Sequence, residues 1–257
     1  MNLKNAQNFI ERYITVKPKV AVILGSGLGD FIDIINEKIE LNFSEIPGYI
    51  LPTIKGHDGK IIIGKLNGNS IICSQGRFHF YEGLSLDEVT FPIQLFKNLG
   101  CENLIITNSS GCLQKHWKIG GFMNISSLLD FTFRNSNKPV KTVLNSILNF
   151  NKLKNLLNDD DIHLYDGCYT WTLGPSYETP AEINEINNLK GNVVGMSTYP
   201  EIKKAIELNF NIMAIACLTN YAAGISEQPL THEEVVSTAE NANQNFCKLI
   251  KIIINNI

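Results

Sequence analysis

Five apolar residues, Val20-Ala21-Val22-Ile23-Leu24, run straight into Gly25-Ser26-Gly27-Leu28-Gly29. A short apolar run closed by glycines reads as a buried strand ending in a tight turn. Glycine lets backbone N–H groups approach an anion, and a helix after the turn would add a favourable dipole. Ser26 adds a hydroxyl. The spacing is GxGxG followed by Asp30, not the GxGxxG of a dinucleotide fold, and no Gly-Lys-Ser/Thr ending marks a P-loop. A small anion such as free phosphate fits this turn better than a dinucleotide. The plain alternative is a glycine turn needed only for packing.

Strand-like and helix-like segments alternate beyond it. Residues 61–66 and 70–74, joined by Asn67-Gly68-Asn69, read as a hairpin. Residues 85–98 have helical periodicity, 103–107 are β-rich and 122–126 read as a strand. Residues 128–141 carry the weakest pattern and are expected to be loop, whereas 140–157 read as helix. Strands are expected again at 164–172, 192–194 and 212–219, with 231–254 as one long closing helix. The alternation predicts an α/β fold with a central sheet flanked by helices, in one domain over residues 1–257.

Charge narrows the partners. The formal net charge is -3, so no basic surplus supports nucleic-acid binding or attraction to an anionic membrane. No apolar run is long enough to span a bilayer and the first residues lack a signal-peptide core, so a cytoplasmic location is expected. Six scattered cysteines without a CxxC pair indicate neither a zinc site nor a disulfide framework. No metal is expected.

Helix starts are well marked. Ser85-Leu86-Asp87-Glu88, Thr179-Pro180-Ala181-Glu182 and Thr231-His232-Glu233-Glu234 fit the capping box, and Thr198-Tyr199-Pro200-Glu201 has the same spacing. Glu178, Ser197 and His232 then fall at loop-to-helix junctions, which line ligand crevices in α/β proteins.

The segment Gly76-Arg77-Phe78-His79-Phe80-Tyr81-Glu82-Gly83 follows a strand-like run. Arg77 and His79, two residues apart, project to one side. A guanidinium offers a fixed fork of donors suited to phosphate or carboxylate. The segment reads as half of an anion site; a surface loop with an ordinary salt bridge is the alternative.

These segments, in this order, resemble the trimeric (class II) purine nucleoside phosphorylases. The matching stretches begin with Ile23 to Gly29, Ile46-Pro47-Gly48-Tyr49, Gly56-His57-Asp58-Gly59 and Gly76 to Gly83. They continue with Thr107-Asn108-Ser109-Ser110-Gly111, Gly174-Pro175-Ser176-Tyr177-Glu178 and Val194-Gly195-Met196-Ser197. Thr219-Asn220-Tyr221-Ala222-Ala223-Gly224 and Thr231 to Val235 complete the set.

The resemblance implies a mixed, partly barrel-like sheet flanked by helices. It implies a homotrimer that needs no cofactor and uses inorganic phosphate as co-substrate to release a purine base from its nucleoside. Ser26, His57, Arg77, His79, Ser109 and Ser197 match the phosphate site. Glu178 and Asn220 match the base-reading pair and, with His79, the catalytic set. Tyr81, Tyr177, Val194, Met196, Thr219 and His232 match nucleoside-contacting positions. An asparagine amide can serve both O6 and a protonated N7, so Asn220 favours inosine or guanosine over adenosine.

The chain also departs from the family's pattern. Ser109-Ser110-Gly111-Cys112 stands where Ala-Ala-Gly-Gly is usual, and Gly120-Gly121 and Leu129-Asp130 replace Gly-Asp and Asp-His pairs. Residues 128–141 lack the longer loop that sends a phenylalanine into a neighbouring subunit's sugar pocket; Phe131 and Phe133 are the aromatics at hand. A methylthioadenosine phosphorylase and a non-catalytic nucleoside- or phosphate-binding descendant are the competing readings.

Overall fold

The computed structural model describes residues 2–51, 59–134, 136–157, 161–226 and 231–257. In chain order the strands are β1 (Val20–Leu24), β2 (Asn36–Asn42), β3 (Lys60–Leu66), β4 (Asn69–Gln75), β5 (Asn103–Cys112), β6 (Phe122–Asp130), β7 (Val140–Val143), β8 (Leu164–Trp171), β9 (Val193–Gly195) and β10 (Asn211–Tyr221). The helices are α1 (Leu3–Ile10), α2 (Leu86–Val89), α3 (Phe91–Asn98), α4 (Phe150–Leu156), α5 (Pro180–Asn188), α6 (Thr198–Glu207), α7 (His232–Asn241) and α8 (Asn243–Asn255).

The strands join in the order β10-β6-β8-β9-β5-β1-β4-β3-β2, with β7 on β6. β10 also pairs with β5, which closes β10, β6, β8, β9 and β5 into a ring. Three of its ladders are parallel (β10–β5, β6–β8, β8–β9) and two are antiparallel (β10–β6, β5–β9). The sheet is thus mixed and partly barrel-like, as the resemblance implies.

Both faces of the sheet are covered, which explains why β1 is apolar and buried at every position. Ala21 and Ile23 point into a core shared with α1, α3 and α6. Val20, Val22 and Leu24 point into the opposite core, filled largely by Phe246, Leu249, Ile250, Ile253 and Ile254 of α8. The hairpin forms as read, with Asn67 and Gly68 at positive φ in its turn.

Several sequence expectations change. Residues 140–157 are not one helix: β-branched Val140, Thr142 and Val143 pair with β6, and α4 begins only where the Asn149 side chain accepts from the Lys152 N–H. The expected loop 128–141 is strand at both ends, because β6 runs on to Asp130. Residues 85–98 split at Thr90, since Pro92 lacks the N–H a continuous helix needs. The closing helix divides at Ala242, between the poor helix formers Asn241 and Asn243. The turn after β1 leads into a 3-10 helix, Gly29–Ile34, packed on α8 through Phe31 and Phe246, so no α-helix dipole is aimed at that turn.

Candidate active site

The glycine turn is locked to the end of β5. The Gly25 N–H donates to Thr107 Oγ1 (3.1 Å), and that hydroxyl donates to the Ile23 carbonyl (2.9 Å). A Cβ at Gly25 would stand 2.7 Å from Asn108 Cα, so only glycine lets the two backbones approach this closely. Ser109 Oγ donates to the Ser26 carbonyl (2.6 Å), which places both serines at one mouth. Asn108 Nδ2 reaches Thr198 Oγ1 (2.8 Å) and ties the start of α6, with Ser197 at its N-cap, to the same strand end.

Arg77 enters this mouth from beyond β4 and is 2% exposed. Its Nε and Nη2 donate to Glu201 Oε1 and Oε2 at 3.2 and 2.8 Å, and Nη1 donates to the Thr107 carbonyl at 2.7 Å. A guanidinium has five N–H donors, so two remain for an anion in the cleft. Glu201 is therefore not the helix-capping acid that its spacing suggested. Its true signal lay in the stripe Thr198, Glu201, Ile202 and Ala205, the i, i+3, i+4, i+7 pattern of a buried helix face. The salt bridge considered as the plain reading of Arg77 exists, but it is buried and borders the cleft.

His79 lies near Arg77, its imidazole stacked on the Tyr81 ring with centroids 4.9 Å apart. Its backbone N–H donates to Glu82 Oε1 (2.7 Å), and Nδ1 stands 3.4 Å from the same oxygen. Burial holds the imidazole below its ordinary pKa of 6.5 despite Glu82, which favours the neutral ring. Burial pushes the Tyr81 phenol up to about 12, so it stays a donor at neutral pH. The Tyr81 ring and Met196 border Gly174: a Cβ there would sit 2.8 Å from Tyr81 Cδ1 and 2.5 Å from Met196 Sδ.

The other end of the cleft is built by β10 and the turn before α5. The β10–β5 ladder shifts register between Leu218 and Asn220, leaving Thr219 as an extra residue. Successive side chains of a regular strand point to opposite faces, and the bulge lets Thr219 and Asn220 both line the cleft. Thr219 Oγ1 donates to Asn220 Oδ1 (2.9 Å), and Asn220 Nδ2 donates to the Tyr221 carbonyl (3.0 Å). The amide is thus oriented, with one N–H and one acceptor site to spare. Glu178, just before the Thr179 N-cap, accepts from Thr172 Oγ1 at 2.5 Å, and burial raises its pKa.

One cleft with about 740 Å³ of empty space gathers these groups. Ser26, Arg77, His79, Ser109, Ser197, Glu178, Thr219 and Asn220 all line it. Tyr81, Tyr177, Val194, Met196 and His232 complete the wall, with Tyr177 42% exposed at the rim. His57 lies outside the described residues. Phe131 and Phe133 pack on each other at 5.1 Å, and neither lines this cleft. Gly111, Gly195, Ala222 and Val235 also line it, and sequence reasoning did not assign them. Among the described residues no group of three or more His, Cys, Asp or Glu could hold a metal ion, and no helix is long and apolar enough to cross a membrane.

Comparison with known proteins agrees with this geometry. The model of the phosphorylase superfamily matches residues 19–255. Purine nucleoside phosphorylase 1 of Geobacillus stearothermophilus is 36% identical over 271 residues, covering 99% of this chain and 97% of the relative. The bovine (Bos taurus) purine nucleoside phosphorylase is 30% identical over 94% of this chain and 90% of its own length. Among solved structures, Schistosoma mansoni purine nucleoside phosphorylase superposes with a TM-score of 0.85 in complex with inosine (28% identity, 99% and 96% covered). The same enzyme in complex with adenosine gives 0.84 (30% identity, 98% and 96% covered). With the superfamily pattern spanning residues 19–255 and such likeness over nearly its whole length, the chain belongs to the phosphorylase superfamily, among the purine nucleoside phosphorylases, which are pentosyltransferase enzymes.

Proposed function

We propose that this protein cleaves 6-oxopurine nucleosides such as inosine and guanosine with inorganic phosphate, giving the free base and (deoxy)ribose 1-phosphate. The observation that carries the reading is one cleft lined both by oxyanion donors and by a carboxylate and an amide that are each held by hydrogen bonds. A phosphate oxygen attacks C1′ while the C1′–N9 bond breaks and its electron pair passes to the base. Arg77, Ser26, Ser197, the backbone near Ser109, neutral His79 and His57 hold the phosphate. Glu178 accepts from the N1–H of the base. Asn220 donates to O6 or N7 as negative charge develops there, which is stabilisation aimed at the transition state. The sugar lies against Tyr81 and Met196, with His232 near the 5′-hydroxyl and Tyr177 stacked on the purine.

Phosphate is a co-substrate in this scheme and no cofactor takes part. We further propose one phosphorylase domain over residues 1–257, a homotrimer, a cytoplasmic location and a role in purine salvage. The test is incubation with inosine, guanosine, xanthosine, adenosine and methylthioadenosine, with and without phosphate, following free base. Base release from inosine or guanosine only with phosphate supports the proposal. Release without phosphate indicates a hydrolase, and preferential cleavage of methylthioadenosine moves the enzyme to that specificity. Binding without turnover leaves a non-catalytic descendant.

A further inference from the structure

Thr172 belongs to none of the motifs above, yet its hydroxyl makes the shortest contact to Glu178. Its own backbone is fixed, since the Thr172 N–H donates to the Gly195 carbonyl (3.1 Å) at the end of β9. From there Oγ1 donates across the turn to Glu178 Oε1 at 2.5 Å. Thr172 is 9% exposed and does not line the cleft, whereas Glu178 does. The carboxylate also takes a hydrogen bond from its own backbone N–H, and its oxygens keep acceptor capacity for a ligand. Among the described residues Glu178 makes no ion pair, and Thr172 is the side chain that donates to it.

We infer that Thr172 is a positioning residue that keeps Glu178 a base-facing acceptor, and so sets the preference for purines that donate at N1 over purines that accept there. The inference rests on the proposed reading of Glu178. A 6-oxopurine carries N1–H and needs an acceptor; adenine has a bare N1 and needs a donor, which a carboxyl group supplies only when protonated. Two influences favour the protonated form: burial, and the like charge of Glu182 in the first turn of α5. The Thr172 hydroxyl opposes both, ahead of a smaller contribution from Glu178's own backbone N–H, because a hydrogen bond is worth more to an ionised partner than to a neutral one. The remaining ionisable groups around Glu178 are Tyr177 beside it, Arg77, His79, Tyr81 and His232 elsewhere in the cleft, and Glu233 and Glu234 near Tyr177. Their charge is unaltered by an uncharged substitution at Thr172.

The test compares the pH dependence of kcat/KM for inosine and for adenosine, at saturating phosphate, in the wild type, Thr172→Val and Thr172→Ser. Valine keeps the shape and removes the donor; serine keeps the donor. In Thr172→Val the acid limb for inosine should move up by about one pH unit, the scale of one hydrogen bond to a charged group. The inosine-to-adenosine ratio on that limb should fall about tenfold, and Thr172→Ser should restore both. Thr172→Ala offers the same comparison if valine is not accommodated. Profiles that overlay, or that drop equally at every pH, overturn the inference and leave the proposed activity standing. A wild type that does not cleave inosine with phosphate overturns the proposed activity itself, and this inference with it.

Discussion

Arg77 and Glu201 face each other in the interior through two hydrogen bonds, with side chains only 2% and 3% exposed. The pair holds the guanidinium fork at a fixed angle to the cleft. Replacing Glu201 alone leaves a buried, unbalanced cation. Glu201→Gln should therefore destabilise the fold by about 3–5 kcal/mol, read from chemical denaturation. Arg77→Met with Glu201→Leu should recover most of that loss. Phosphate use should stay impaired in the double variant, as in Arg77→Ala. Recovery of the phosphate KM together with stability would remove Arg77 from the anion site.

Asn220 presents an amide whose orientation is set by Thr219 and the Tyr221 carbonyl. Asn220→Asp exchanges the spare N–H for an acceptor, which suits the 6-amino group of adenine and repels O6. The inosine-to-adenosine ratio of kcat/KM should fall by about tenfold or more, the scale of one mismatched buried hydrogen bond. An unchanged ratio would sink the assignment of Asn220 as a base reader.

His79 supplies a pH prediction with a definite sign. Its folded pKa lies below the ordinary 6.5, so as pH falls through that value the unfolded chain takes up a proton before the folded one does. Stability from this group is present above about pH 6.5 and is lost as the pH drops below it. His79→Asn should flatten the dependence of unfolding free energy on pH between about 7 and 5.5. A slope identical to that of the wild type would show that His79 is not buried as a neutral ring.

Gly174 lies where Tyr81 and Met196 converge, at a φ of +72°. Gly174→Ala adds a methyl group against both and strains the backbone. A cost of about 1–3 kcal/mol is expected. The nucleoside KM should rise, because the two displaced side chains line the cleft where the proposed reading places the sugar. Thermal unfolding and steady-state kinetics on one preparation check both effects.

Much of this architecture can be read from local chemistry. Residues 61–75 announce a hairpin through their turn, and the capping boxes at Ser85 and Thr179 form as written. The cleft residues fall in the quoted motifs because each motif ends a strand or begins a helix. What is hidden is long-range. Val140, Thr142 and Val143 become strand because β6 has an edge to offer, and nothing local says so. Glu201 resembles a cap until Arg77, 124 positions away, is folded against it. Thr172 looks like the tail of a strand until the turn brings Glu178 back to it.

The bulge in β10 sets a limit on how this chain can vary. Thr219 and Asn220 share the cleft because one residue more stands on β10 than on β5 opposite. A deletion there would restore a regular ladder and turn alternate side chains to the other face, with every hydrogen bond of the strand intact. An exchange along this buried strand is felt at one position, whereas an insertion or deletion re-aims every side chain beyond it. The site therefore depends on how many residues the strand holds as well as on which they are.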